Sequence, residues 1–469
     1  MADLLVLGGG MCGLMGGMLL ANDGHEVTVL ERDPMGPPGD ADAAWRDWER
    51  KGVNQFRMLH YLQPRFRAEV EEHLPALALE MERLGAVRHQ PTSILPTEYT
   101  GGVRDGDDRF TALTGRRPML ETAVSRTADA TPRLTVRRGV AVTALLTGPS
   151  PTAGTPHVVG VRTESGEEIR ADLVIDATGR RSPLPRLLEE AGGRPPHEDA
   201  EDLGLVYYGR HFRSSDGSIP PMRGPVLASV GTISTLTLPA DNGTWGLGIL
   251  AAGSDKEMRS LKDTDRWEAV WGSVPVTAHW IDGEPISDGV SVMANLPDRI
   301  RTYVIDGAPV AVGIVAVADS WSCTNPAVGR GISIGLLHLL SLRAALRAVG
   351  LDDPHALALA FHEATTTDVE PWYQATLQLD RGRLTEMVAL RETGEFVSDD
   401  PTYPIVQAFA NGAWRDPDLL RAFMDIGSLL ATPEEVLGRP GIFEAVLAQA
   451  EAEPPFAMPT RAELVALVS

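Results

Sequence analysis

Leu4-Leu5-Val6-Leu7-Gly8-Gly9-Gly10-Met11-Cys12-Gly13 runs an apolar strand into a glycine-rich turn. A small-residue helical segment follows from Met11 to Asn22, then a second strand, Glu26-Val27-Thr28-Val29-Leu30, ending at Glu31. Strand, turn, helix and strand make a complete βαβ unit, and its turn satisfies G-x-G-x-x-G at the junction of strand and helix. Each glycine has a separate task. Gly8 permits the tight turn, Gly10 lets backbone approach a pyrophosphate, and Gly13 allows helix and strand to touch. Glu31 stands where such units place an acid for the ribose hydroxyls, with Arg32 and Asp33 next to it. The unit therefore predicts a dinucleotide site, without separating FAD from NAD.

Outward from this unit, a Pro/Gly/Asp-rich loop covers 34–43, and the spacing of Val70, Leu74, Leu77 and Met81 predicts a helix over 63–84. Segments 135–146, 157–164 and 168–176 read as a strand meander that returns the chain to the sheet at Leu173-Val174-Ile175. From about 186 to 300 the texture turns β-rich between Pro/Gly/Asp turns, as expected of an inserted sheet that roofs a ligand. A buried strand over Pro309–Ala318 and a helix over Ile332–Ala348 follow, and 355–469 is helical by pattern. The expected fold is α/β, with a Rossmann-type lobe (1–185 and 297–350), an inserted β-sheet substrate lobe (186–296) and a helical C-terminal region (351–469).

The formal charge of −22 and pI near 4.9 argue against a nucleic-acid or anionic-membrane surface, since both need clustered positive charge. Small molecules are the expected partners. The start of the chain has no basic leader, and the longest apolar stretch, Pro309–Ala318, is too short for a bilayer, so the expectation is a cytoplasmic protein without a membrane span. Cys12 and Cys323 lie far apart without Cys-x-x-Cys, which removes disulfide-reductase chemistry.

Two further Gly-containing turns close strands downstream: Asp176-Ala177-Thr178-Gly179-Arg180-Arg181-Ser182-Pro183, and Asp319 through Gly331 with its Asn325-Pro326-Ala327-Val328-Gly329-Arg330-Gly331 end. Together with the first motif, these turns resemble the FAD-dependent monooxygenases of the para-hydroxybenzoate hydroxylase fold, over roughly residues 3–350. The likeness is strongest to the bacterial branch that includes polyether-type epoxidases. Within that branch Lys51 through His60 resembles a segment near the flavin, with Asn54 replacing a Pro, and Arg117-Pro118-Met119-Leu120-Glu121 resembles the helix start beside the cofactor.

The resemblance implies FAD, held by Gly8, Gly10, Cys12, Gly13, Glu31, Arg32, Arg117, Asp319, Gly329, Gly331 and Ile332. Asp319 takes the ribityl chain, and the turn ending at Gly331 lies along the isoalloxazine. The following helix points its positive end at the ring, which favours the reduced anionic flavin. Gln55, His60 and Pro326 fall at the reacting end. The implied reaction inserts one atom of O2 into a small organic substrate of secondary metabolism, by epoxidation or hydroxylation, through an oxygen adduct at flavin C4a. NADPH or NADH acts as transient reductant, or a partner flavin reductase supplies reduced flavin, because no second G-x-G-x-x-G provides a nicotinamide domain. No residue reads as a dedicated base, which leans toward a neutral substrate such as an alkene.

Ala318 stands where the family has Gly before the acid. Its methyl group is compatible with negative φ and strained at positive φ. Arg46 and Arg50 follow the first unit and read by default as solvated. Three alternatives accompany the main reading: a flavoprotein dehydrogenase or double-bond reductase, a non-catalytic nucleotide binder, and a serine hydrolase drawn from Gly331-Ile332-Ser333-Ile334-Gly335. The last lacks the strand that must end at a nucleophile elbow. The Trp-x-Trp-x-Ile pattern of flavin halogenases is absent, Thr244-Trp245-Gly246-Leu247-Gly248 being the nearest approach.

Overall fold

The computed structural model describes every residue except Pro151 and Ala153. Strand β1 (Asp3–Leu7), helix α1 (Met11–Asn22) and strand β2 (Glu26–Glu31) form the expected unit. The apolar helical pattern over 63–84 is interrupted: α2 (Pro64–His73) ends at Leu74 and α3 (Pro75–Arg83) begins anew. Pro75 is the cause, because it cannot donate to the preceding turn and its ring excludes a helical predecessor. Helix α4 (Arg117–Ala130) leads into β3 (Leu134–Arg138).

The expected meander divides. β3 joins the parallel sheet, whereas β4 (Val142–Gly148), β5 (His157–Thr163) and β6 (Glu168–Arg170) form a separate antiparallel sheet before β7 (Leu173–Asp176) returns to the parallel one. The roof sheet contains β8 (Leu205–Arg213), β9 (Leu227–Val230), β10 (Ile233–Pro239) and β11 (Thr244–Ala252), in the order β9-β10-β11-β8. One face carries Phe212, Trp245, Leu247 and Ile249 into an apolar core with Trp267 and Trp271 of the helix Thr264–Gly272.

The predicted strand over Pro309–Ala318 is two pieces. Ala308–Pro309 pairs with Val304–Ile305, and only β12 (Ile314–Ala316) reaches the parallel sheet, after Gly313 at φ +72°. The five-stranded parallel sheet has the order β12-β7-β1-β2-β3, with Leu7 beside Asp176 and Asp176 beside Ala316. Three loops thus leave the same carboxyl edge side by side, where open α/β sheets bind ligands.

Helix α5 (Gly331–Val349) packs on α1 and on α6 (Pro354–Ala364), a π-helical turn at Thr365–Val369 leads into α7 (Glu370–Thr393), and helices continue to α8 (Arg461–Val468). α8 returns to the roof lobe, where Leu464 and Val468 join its tryptophan core. By length and composition α5 would suffice to cross a membrane, although its apolar residues do not form one continuous run. It is instead a core helix: Leu336, Leu339, Leu342 and Leu346 are buried with α1.

Candidate functional site

The glycines of the first loop meet the demands placed on them. Gly8 lies at φ +101°, pressed on Ala177, and a Cβ on Gly13 would stand 1.9 Å from the Gly8 carbonyl oxygen. Gly10 caps α1 with extended backbone, and a Cβ there would meet nothing within 4 Å. The same openness holds at Gly179 and Gly331. The site therefore combines a tightly packed turn with open space in front of it.

The second turn is tied by Asp176, whose Oδ1 accepts from the Thr178 amide (3.0 Å) and hydroxyl (2.5 Å) and whose Oδ2 accepts from Ser182. Gly179, at φ +85°, donates its amide to Ser320 Oγ at 2.9 Å, joining this turn to the third. Arg180 donates to the carbonyls of Pro297 and Thr324, both at 2.8 Å. Asp319 is partly exposed at the mouth of the third turn. Among the described residues only its backbone carbonyl is engaged, by Arg299 at 3.2 Å, and its carboxylate is left uncommitted. Burial raises its pKa, with Arg180, Arg117 and Arg299 acting in the opposite sense. Cys12 is a neutral thiol, pushed up to about 12 by burial and by Asp319, so it offers no thiolate.

A chain of charges crosses the site. Glu31 accepts from the Gly9 amide (2.9 Å) and the Asp33 amide (2.8 Å), and Arg50 bonds Glu31 (3.1 Å), Asp33 (3.1 Å) and Glu121 (2.7 Å). Glu121 also receives Arg117 Nε at 2.7 Å, and Arg117 Nη1 stands 3.4 Å from His60 Nε2. The other His60 nitrogen lies 3.0 Å from the Met58 carbonyl and must donate to it, which leaves Nε2 as acceptor toward Arg117. Burial and Arg117 hold His60 neutral, with a pKa of about 3.

Arg50 is the residue that sequence reasoning misplaced: it is buried rather than solvated. Burial alone would lower its pKa, but Glu121, Glu31 and Asp33 raise it above the ordinary value. Sequence carried little signal for this, since Glu121 lies 71 residues from Arg50 and meets it only in the fold. Glu31 keeps acceptor capacity for a ribose hydroxyl, though both of its oxygens already hold donors.

The remaining expected positions spread out. Arg32 is exposed beside Gly52, and Ile332 packs at the edge of the core shared by α1 and α5. Gln55 contributes its carbonyl to the Met58 amide (3.0 Å), and no side-chain hydrogen bond ties it to the other positions among the described residues. Pro326 opens a 3-10 turn that ends at Gly329, φ +63°, and Gln63 braces that turn by donating to the Val328 carbonyl at 2.9 Å. Asn325 anchors it to the roof by accepting from the Tyr207 hydroxyl. Ser333 lies inside α5, receives the Gln63 amide at 3.3 Å and has no imidazole partner among the described residues, so the hydrolase elbow does not form.

The roof face turned toward this site has a glycine patch between Tyr207 and Leu250 on one side and His211 on the other. Gly209 and Gly248 are cross-strand neighbours, Gly246 faces His211, and a Cβ on any of the three glycines would press on Leu59, at 2.7 to 3.2 Å. Trp45 covers His211, ring centroids 4.7 Å apart.

No family model matches the chain. Protein Rv3254 of Mycobacterium tuberculosis is 30% identical over 394 residues, covering 78% of this chain and 77% of that protein. The chain belongs to the family of this mycobacterial protein. Among solved structures, the flavin-dependent brominase Bmp2 matches with TM-score 0.62 and 15% identity, over 96% of this chain and 99% of its own. PqsL of Pseudomonas aeruginosa, described as a probable FAD-dependent monooxygenase and solved with 2-aminobenzoylacetate, matches with TM-score 0.60 and 18% identity, over 83% and 97%. The fold of this family member is thus that of the FAD-dependent monooxygenases of para-hydroxybenzoate hydroxylase type.

Proposed function

We propose that the chain is an FAD-dependent monooxygenase that inserts one oxygen atom of O2 into a small, neutral organic substrate held between the flavin lobe and the roof sheet. The observation that carries this reading is the carboxyl edge of the parallel sheet. It offers an open phosphate loop at Gly10, an open helix start at Gly331 and the uncommitted Asp319 carboxylate between them. Backbone amides and the end of α1 suit a pyrophosphate, and a free carboxylate suits the hydroxyls of a ribityl chain.

Bound FAD would supply the oxygen-activating chemistry. The chain's own residues bind and orient. Gly8, Gly10 and Gly13 shape the phosphate loop, with Cys12 behind it as a neutral filler, and Glu31 with Arg32 borders the ribose. Arg117 and Asp319 would hold the ring-bearing half, with the turn of Gly329, Gly331 and Ile332 behind it. Gln55, His60 and Pro326 would border the reacting end; neutral His60 holds its proton on Nδ1 and offers no positive charge to an anionic substrate. The glycine patch of β8 and β11 favours a flat apolar group once Leu59 yields its place. NADPH, NADH or a partner flavin reductase supplies electrons, and epoxidation is favoured over phenol hydroxylation because His60 and His211, the histidines nearest the glycine patch, are held at a pKa of about 3 by burial and make weak bases toward a phenol. A brominase shares the fold, but this sequence lacks Trp-x-Trp-x-Ile.

The test is an absorbance spectrum of purified protein with and without added FAD, followed by NADPH and NADH oxidation with oxygen uptake. Flavin binding with reductant-dependent oxygen uptake supports the proposal. Flavin that turns over without consuming oxygen favours the dehydrogenase or double-bond reductase reading, and failure to bind FAD refutes both.

A further inference from the structure

Ala318 occupies a conformation that glycine normally takes. Its φ is +51°, in the left-handed region, and it directly precedes Asp319. An L-residue with a Cβ stays there only where its surroundings insist on it. Two features do so. The methyl group is accepted by a gap on α5: a Cβ on Gly335 would stand 2.7 Å from Cys12 Sγ and 3.1 Å from Ala318 Cβ, so position 335 must be bare. The amide is accepted by a side chain, because Ala318 N lies 3.2 Å from His338 Nδ1, one helical turn beyond Gly335.

The tautomer of His338 follows from its partners. A backbone amide can only donate, so Nδ1 carries the lone pair and Nε2 the proton. Nε2 then donates to Thr365 Oγ1 at 3.0 Å, and the Thr365 hydroxyl donates onward to the Phe361 carbonyl at 2.7 Å. The imidazole is fully buried between Trp321 (centroids 4.4 Å apart) and Phe361 (4.9 Å, stacked), which leaves it one orientation. Thr365 opens the π-helical turn between α6 and α7, and such turns are frequent at functional sites. Burial keeps the ring neutral, with a pKa of about 3, so the lone pair is present across the working pH range.

We propose that His338 is a positioning residue for the cofactor site: with Thr365 it holds Ala318 in its left-handed conformation and so presents the Asp319 carboxylate to the ribityl chain. The relay replaces, in this chain, the glycine that the resembling enzymes have before the acid. It also couples the turn between α6 and α7 to the third loop of the site. This inference rests on the flavin reading above.

The experiment measures FAD affinity by fluorescence titration, with thermal unfolding of the flavin-free protein as the control on folding. The full chain is used as wild type, His338→Asn, His338→Phe, Thr365→Val, and the two relay-breaking variants combined with Ala318→Gly. His338→Asn can place Oδ1 where Nδ1 stood and should bind FAD within about threefold of wild type. His338→Phe leaves a buried amide without an acceptor and should lose about tenfold or more, Thr365→Val somewhat less. Ala318→Gly relieves the backbone demand and should restore most of the loss in both. This rescue separates positioning from simple packing, because a packing defect at 338 gains nothing from removing a methyl group at 318. Should His338→Phe not fold, Thr365→Val, which keeps shape, with and without Ala318→Gly decides the question. Wild-type affinity in folded His338→Phe or Thr365→Val, or losses that Ala318→Gly does not repair, overturn the inference. Absence of FAD binding in the wild type overturns the flavin reading itself.

Discussion

Gly10 and Gly13 belong to one motif, and the structure separates what each should do when substituted. A Cβ on Gly13 would stand 1.9 Å from the Gly8 carbonyl oxygen, so Gly13→Ala must drive α1 from the strand-end turn by roughly 1 Å or more. Both partners are backbone and cannot rotate away, which places the cost near the upper end of the usual overpacking range, about 3 kcal/mol. Unfolding entropy of about 2.1 cal/mol/K per residue makes 1 kcal/mol worth roughly 1 °C in a chain of 469 residues. The expected loss for Gly13→Ala is therefore about 3 °C without any ligand. Gly10→Val adds its side chain to open space with backbone at φ −77° and ψ 177°, which a β-branched residue adopts readily. The flavin-free protein should then lose no more than about 1 °C, the cost of a poorer helix cap. Adding FAD at a hundredfold excess over its Kd should stabilise wild type by about 2.7 kcal/mol, a rise of about 3 °C, and should leave Gly10→Val unmoved. Calorimetry with and without FAD reads both quantities. A drop in flavin-free Gly10→Val as large as that in Gly13→Ala, or an undiminished rise with FAD, would refute the reasoning.

Asp319→Ala should weaken FAD by about tenfold or more, the worth of hydrogen bonds to a charged acceptor, while leaving flavin-free stability unchanged or slightly higher, because burial already disfavours that carboxylate; titration and calorimetry together check this. Asp241→Ala strips the buried Arg116 of the carboxylate that joins the roof sheet to the flavin lobe (2.6 Å), leaving it only Asp42 (2.8 Å), and should cost about 3 kcal/mol, or about 3 °C, with Asp241→Asn milder; a shift under about 1 °C would count against it. His60 is neutral in the folded chain down to about pH 3, whereas unfolded it takes a proton near 6.5, so its contribution to stability falls as pH drops from 6.5 toward 3. Wild type should accordingly take up about one more proton on unfolding at pH 5 than His60→Asn, measured calorimetrically in buffers of different ionisation enthalpy.

The first βαβ unit was legible because every level agreed: apolar strand, glycines at fixed offsets, small-residue helix, second strand and terminal acid are local properties of consecutive residues. The same holds for the turns at Asp176 and Asp319, whose strands lie at the same carboxyl edge as the first unit. Local interruptions were less legible. The hydrophobic spacing over 63–84 continues through Pro75, and periodicity does not register a missing amide; the helix divides there. The meander failed for the opposite reason, since strand pattern carries no information about which sheet a strand joins, and β3 went to one sheet while β4, β5 and β6 went to another.

By itself the sequence determined the first βαβ unit, the glycine-rich turns at strand ends and the β-rich texture of the roof region, because glycine, proline and strand periodicity act through the backbone of neighbouring residues. Only the tertiary structure decided which charges meet and which conformations are strained. Arg50 is separated by 71 residues from Glu121 and still becomes its buried partner, and the sign of φ at Ala318 depends on His338, 20 residues away on another element. Burial of a charge and enforcement of a left-handed backbone are paid for by contacts from distant segments, and those contacts exist only once the chain has closed around them.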